Sequence, residues 1–168
     1  MSAKERVERA LTGIALEPVT VADGTPCWRL GAGDLREAVL RLRDAAGFEQ
    51  STFVTATDEL PAEPRFELNY QFLSVSNNDR VRLKLRAAEG EAVPTIADLY
   101  PGATYSEREV WDFFGIAFAG HHDLQRLHMP EGYGHHPLRK DFPHRGIEPD
   151  RLYKEWERRH AGGDTYGS

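Results

Sequence analysis

Between Arg65 and Ala87 the chain reads RFELNYQFLSVSNNDRVRLKLRA, and this run constrains the fold more than any other. In its second half Val81, Leu83 and Leu85 alternate with Arg80, Arg82, Lys84 and Arg86. Successive side chains of an extended strand point to opposite faces, so a period of two calls for a sheet with one apolar face and one charged face. Asn77-Asn78-Asp79 divides the run into two strands, Arg65–Val75 and Arg80–Ala87, because asparagine tolerates the left-handed backbone that a tight turn needs. The expectation is an antiparallel hairpin whose apolar face is covered by another layer.

The rest of the chain supplies that layer. Ser2 opens KERVERAL with Glu5 three residues on, a capping box before the apolar positions Val7, Ala10, Leu11 and Ile14. Asp34 stands as the cap of LREAVLRLRDAAG, with Leu35, Ala38, Val39, Leu42 and Ala46 as the buried stripe and Gly47 as the stop. Asp23-Gly24 marks a hairpin turn inside Ile14–Leu30, and Phe48–Thr57 reads as a further strand. Val93–Leu99 is expected to be a short helix with Pro94 near its start, and Ser106 to cap a helix from Glu107 to Phe114. The fold class that follows is α+β, a largely antiparallel sheet flanked by helices in two layers. Residues 1–119 form the globular part. After Gly120 the glycines and prolines and the loss of periodicity predict an extended C-terminal arm over 120–168, with a short polar helix near Asp150–His160.

With 168 residues, 40% of them hydrophobic and 29% charged, the chain is long enough to bury a core and is not a disordered type. The net charge of −6 without a long basic run argues against nucleic acid as the main partner. Cys27 is the single cysteine, which excludes an internal disulfide and any all-cysteine iron–sulfur or zinc site within the chain. The N-terminus has no apolar signal core and no stretch approaches the ~20 apolar residues of a spanning helix. The expectation is a cytoplasmic protein that meets a membrane only through partners.

Charged and aromatic residues concentrate in YPGATYSEREVWDFFGIAFAGHHDLQRLHMPEGYGHHPLRKDFP, Tyr100–Pro143. His121, His122, His128, His135, His136 and His144, with Asp123 and Asp141, invite a metal reading, but their spacing has neither HExxH form nor a cysteine frame. Glu107 and Glu109 are too close in sequence to converge from one helix on a single atom, and carboxylates in a first turn suit the helix dipole. Arg108 suits either a buried ion pair or a partner's carboxylate. Trp111, Phe113, Phe114 and Phe118 read as core. No nucleophile elbow or phosphate loop is present. His136-Pro137-Leu138-Arg139-Lys140-Asp141 combines a fixed extended backbone, an apolar knob and a run of charges, which suits a segment lying along a neighbouring subunit.

On these residues the chain resembles the 30 kDa subunit family, the C-type subunits, of the proton-pumping NADH–quinone oxidoreductase, respiratory complex I. The family pattern is an ERE-x-W/Y-D-x-x-GI-x-F-x-GH helix and loop, then a leucine- and arginine-containing stretch, then GHPLRKD-Y/F-P. Here it stands as EREVWDFFGIAFAGHHDLQRLHMPEGYGHHPLRKDFP. Upstream, FELNYQFLSVSNNDRVRLKLR and VPTIADLYPGATYSERE match the family's paired strands and the element before the motif. His122 replaces a usual proline, and His135 adds a histidine before Pro137.

The resemblance implies a peripheral-arm subunit without cofactor or active site of its own, which helps assemble the quinone-reducing module. FMN, iron–sulfur clusters and quinone would belong to neighbouring chains. It implies as partners the large, D-type quinone-site subunit of about the 49 kDa class and the B- and I-type iron–sulfur subunits, at the cytoplasmic side of a bacterial inner membrane. The absence of a fused large-subunit domain implies a stand-alone subunit. The motif residues expected to fix the helix or meet the partner are Glu107, Arg108, Glu109, Asp112, His121, Arg126, His135, Pro137, Leu138, Arg139, Lys140 and Asp141. The equivalent subunit of a membrane-bound hydrogenase or of a ferredoxin:quinone oxidoreductase is an alternative. A stand-alone metal enzyme using the loop histidines is a more distant one.

Overall fold

In the computed structural model residues 1–144, 146 and 147 are described. The hairpin forms as its pattern requires: β4 (Phe66–Ser74) and β5 (Asp79–Ala87) pair antiparallel from Phe66↔Ala87 to Ser74↔Asp79. Asn78 takes the left-handed conformation at the turn, φ 52°. β3 (Gln50–Asp58) adds antiparallel to β4 with a bulge between Ser51 and Phe53. β2 (Cys27–Arg29) lies parallel to β5, and β1 (Glu17–Pro18) pairs antiparallel to β2. The sheet order is β1-β2-β5-β4-β3.

Phe66, Leu68, Tyr70 and Phe72 join Val81, Leu83 and Leu85 on one face, all fully or nearly fully buried. The same apolar cluster takes in Val7 and Leu11 from α1 (Ala3–Ala10) and its C-cap. It also takes in Leu35, Ala38, Val39 and Leu42 from α2 (Leu35–Asp44) and Val110 and Phe114 from α3 (Ala103–Phe114). The three described helices therefore cover one face of a mostly antiparallel sheet, an α+β fold in two layers. Ser2 and Glu5 close the expected capping box at α1.

Several local expectations are corrected. Asp34 makes no capping bond, because a 3-10 turn over Ala32–Asp34 already precedes α2 and gives Asp34 helical dihedrals. By contrast, the expected hairpin inside Ile14–Leu30 forms: the short β1 and β2 pair antiparallel, Gly24 N–H donates to Val21 C=O at 3.1 Å, and the Asp23 carboxylate accepts the Thr25 N–H at 3.0 Å in the loop between them. Val93–Leu99 is not a helix. Its first residues, β6 (Val93–Pro94), run parallel to β7 (Phe118–Ala119), with N–H groups of Val93 and Thr95 donating to Ala117 and Ala119 at 2.9 and 3.0 Å. Pro94, lacking an N–H, falls between those two donors, where the ladder asks nothing of it. Finally, α3 begins at Ala103 rather than after Ser106. Pro101 pre-sets the turn, Thr104 N–H bonds Pro101 C=O, and Glu107 and Glu109 are thereby moved out of the first turn. The expected helix near Asp150–His160 lies outside the described residues.

Candidate partner-facing site: a strap bound to the end of α3

Residues 121–143 contain no helix or strand, and their polar contacts run back to the domain. Asp112, in the last turn of α3, is fully buried. Its Oδ2 accepts the backbone N–H groups of Leu127, His128 and Met129 at 3.1, 2.7 and 2.9 Å, and its Oδ1 accepts from Arg126 at 2.8 Å. Burial alone would raise its pKa, but Arg126 and the amide cradle outweigh it and hold the carboxyl below its usual range. An acid at a helix C-terminus opposes the helix dipole. Here that cost is offset by donors brought from the strap.

Arg126 is the second fastener. Its guanidinium also donates to the carbonyls of Asp112, Tyr133 and His135 and lies 4.9 Å from the Trp111 ring centroid. Arg108, one turn before Asp112, donates to the carbonyls of Gln125 and Arg126 at 3.2 and 2.9 Å and pairs with Asp123 at 3.3 Å. The intramolecular ion pair, one of the two uses open to Arg108, is present.

A helix ends with carbonyls that have no partner of their own. At α3, His136 Nδ1, Leu138 N–H and Arg139 Nε lie 3.0, 3.2 and 2.9 Å from the carbonyls of Asp112, Phe113 and Phe114. The HPLR segment is thus a C-terminal cap supplied from more than twenty residues away. Pro137, which has no N–H to offer, sits between the donors. Gly115 closes the helix with φ 78° and donates to Trp111 C=O at 2.8 Å. A Cβ there would come within 2.7 Å of the His136 ring, so only glycine lets the cap approach. Burial, with Arg126 and Arg139 nearby, pushes the His136 pKa down despite the opposing bond to Asp112 C=O.

A second clasp lies beyond the cap. Arg65, buried at the start of β4, forks onto both oxygens of Asp58 at 3.0 and 2.7 Å, and also reaches Asp141 at 2.9 Å and Glu89 at 2.9 Å. Lys140 donates its N–H to Asp58 at 2.8 Å and its Nζ to Leu60 C=O at 3.0 Å. Arg139 pairs with Glu89 at 2.8 Å and lies over Phe66. The Arg65 guanidinium holds the Asp58 carboxyl far below its usual range. Outward, Leu138 is 53% exposed, and a shallow cleft of about 230 Å³ opens among His135, Arg139, Asp141 and Ile147. That is smaller than most ligand pockets.

The twelve residues singled out from the motif divide in three. Arg108, Asp112, Arg126, Arg139, Lys140 and Asp141 bind strap to domain, with Pro137 and Leu138 forming the cap backbone and His135 contributing a carbonyl. Glu107 goes elsewhere: fully buried, it accepts from the Thr95 hydroxyl and from Ile96 N–H at 2.8 Å, with His121 Nε2 3.9 Å away. Burial raises its pKa to about 7 against those hydrogen bonds. His121 donates from Nε2 to Thr104 C=O at 3.2 Å and accepts Asp123 N–H on Nδ1, which fixes one tautomer. Glu109 is half exposed, 3.7 Å from His128, whose ring stacks on Phe113. Among the described residues no three His, Cys, Asp or Glu side chains converge as a metal site. Sequence reading missed Asp58, Arg65, Glu89, Gly115 and the bond from the His136 ring. Only Gly115, a glycine directly after a helical pattern, carried a local signal.

Comparison with known proteins gives a consistent assignment. The family model described as respiratory-chain NADH dehydrogenase, 30 Kd subunit, matches residues 29–148. The chain is similar to the 30.4 kDa subunit of the mitochondrial NADH-ubiquinone oxidoreductase of Neurospora crassa, 44% identical over 71% of this chain and 42% of the relative. It is similar to the NADH-quinone oxidoreductase C-subunit of Rhodobacter capsulatus, 49% identical over 62% of this chain and 54% of that one. With the same subunit of Rhodopseudomonas palustris TIE-1 it shares 41% over 82% and 68%. The chain thus spans about half the length of several curated relatives it matches. Among solved structures, the trypsin-resistant fragment 1–134 of Nqo5 aligns at TM-score 0.63 and 30% identity, over 73% of this chain and all of the fragment. A chain of the membrane-bound sulfane sulfur reductase, an archaeal respiratory membrane complex, aligns at TM-score 0.71 and 25% identity, over 98% and 95%.

Proposed function

This chain belongs to the family of the 30 kDa subunit of the respiratory-chain NADH dehydrogenase, and from that membership we propose that it is a peripheral-arm subunit of an NADH:quinone oxidoreductase with a structural and assembly role. The family match across residues 29–148 carries the reading. The geometry supports it: most of the charged motif residues hold a strap on which Leu138 is exposed, rather than forming one reactive centre. In this reading 1–119 is the globular unit and 120–168 the arm that lies on partners. A relative's fragment that withstands trypsin and aligns over 73% of this chain supports such a division. The partners are the large quinone-site subunit and the iron–sulfur subunits beside it. They hold the FMN, clusters and quinone, while this subunit has no active site of its own and reaches the cytoplasmic side of the membrane through them. No described helix is long and apolar enough to cross a membrane.

The test is recovery of the tagged chain from gently solubilised membranes. Co-purification of those subunits with NADH-dependent quinone reduction is expected, and recovery of the chain alone would sink the proposal. A second reading, the equivalent subunit of a sister complex, is favoured by the alignment of the sulfane sulfur reductase chain over 98% of this chain. Recovery of that complex's type of neighbours would select it.

A further inference from the structure

The strap occupies the end of α3, and all three helices lie on one face of the sheet. The other face carries no described element. The strand registers place its side chains in four rows: Leu73 and Arg80; Phe53, Gln71, Arg82 and Cys27; Thr55, Asn69, Lys84, Arg29 and Glu17; Thr57, Glu67 and Arg86. Glu67 stands among cations, bonded to Lys84 at 2.6 Å and Arg29 at 3.1 Å and 4.0 Å from Arg86. With Arg80 and Arg82 the face carries five cations, more than Glu67 and the rim acids together can neutralise. Arg29 and Arg82 find further acids only at the rim, Glu17 and Asp23. At one edge of the face Phe53, 48% exposed beside the bulge, supplies an apolar anchor.

A positive face on a chain of net charge −6 is complementary to acidic protein surface, whose carboxylates suit guanidinium and ammonium donors. We propose that the helix-free face of the five-stranded sheet is a second docking surface, which takes a carboxylate-rich face of another subunit of the complex. It is separate from the strap, so the chain is held between two neighbours. The inference rests on membership in a multi-subunit complex, and its test is separable from that reading.

Thr57 is exposed on this face, and Cys27 is buried, so Thr57→Cys provides a thiol reporter there. Maleimide labelling of this variant is compared between the isolated chain and the purified complex. A photocrosslinker is attached to the same thiol before assembly. Labelling at least about tenfold slower in the complex is expected, with crosslinks to an Asp/Glu-rich segment of another subunit. Equal labelling rates in a complex that still contains the chain would overturn this inference and leave the functional reading standing. Failure to enter any complex, by Thr57→Cys and the unmodified chain alike, would overturn both. Slow labelling already in the isolated chain would overturn the inference as well, because the cover would then be the chain itself or a second copy. Crosslinks to lipid or nucleic acid would do the same.

Discussion

Glu107 is held in the core by Thr95 and Ile96 with no cation bonded to it among the described residues, which makes it a titrating liability near neutral pH. Its folded pKa is raised to about 7 from an ordinary 4.5. The associated stability is therefore complete below pH ~4.5 and is lost as pH rises towards about 7. Glu107→Gln keeps an acceptor for Ile96 N–H and cannot ionise. Relative to the native chain the variant should be about equally stable at pH 4.5 and more stable by roughly 3 kcal/mol at pH 8. Denaturant titrations at the two pH values check this, and a difference independent of pH would contradict it. Asp112 behaves oppositely, because its cradle favours the carboxylate and the contribution is lost as pH falls. Arg126→Ala strands that buried charge and opens the 121–136 loop. A loss of about 3 kcal/mol, roughly 10 °C in melting temperature, is expected by calorimetry.

At the scale of elements, α3 and the strap are one unit, since the helix's last carbonyls are capped from residues 136–139. Gly115→Ala strains a φ of 78° and pushes against the His136 ring, so it should loosen the strap as well as the helix. A loss of about 1–3 kcal/mol is expected. Trypsin cutting after Arg139 or Lys140 should accelerate in parallel. Asp141→Asn weakens only the exposed limb of the Arg65 clasp and leaves Asp58 paired. It should speed cleavage at the same sites while the melting temperature moves by less than about 1 kcal/mol equivalent. Unchanged proteolysis would show that the second clasp does not restrain the strap.

For the whole molecule, the sheet depends little on the outermost contacts of the strap. Arg139→Ala removes the bond to Phe114 C=O, the Glu89 pair and the contact over Phe66, worth together about 1–2 kcal/mol, and keeps every apolar side chain of the core. The isolated variant should fold, yet subunit recovery and quinone reductase activity in membranes should drop. Normal assembly with normal activity would contradict the assembly role proposed for the strap.

Periodicity made the hairpin, α1, α2 and the core stripe legible in the sequence, because alternation and helical spacing act between near neighbours. The motif from Glu107 to Asp141 was visible as well, and it fixed the family. Its internal logic was not visible. Asp58 and Lys140 meet across 82 residues, and Arg65 and Asp141 across 76. Val93–Pro94 became a strand only because Phe118–Ala119 lay beside it. Sequence alone settled local backbone preference and which faces are apolar. The tertiary structure decided which charges pair within the chain, since that depends on distant residues becoming neighbours.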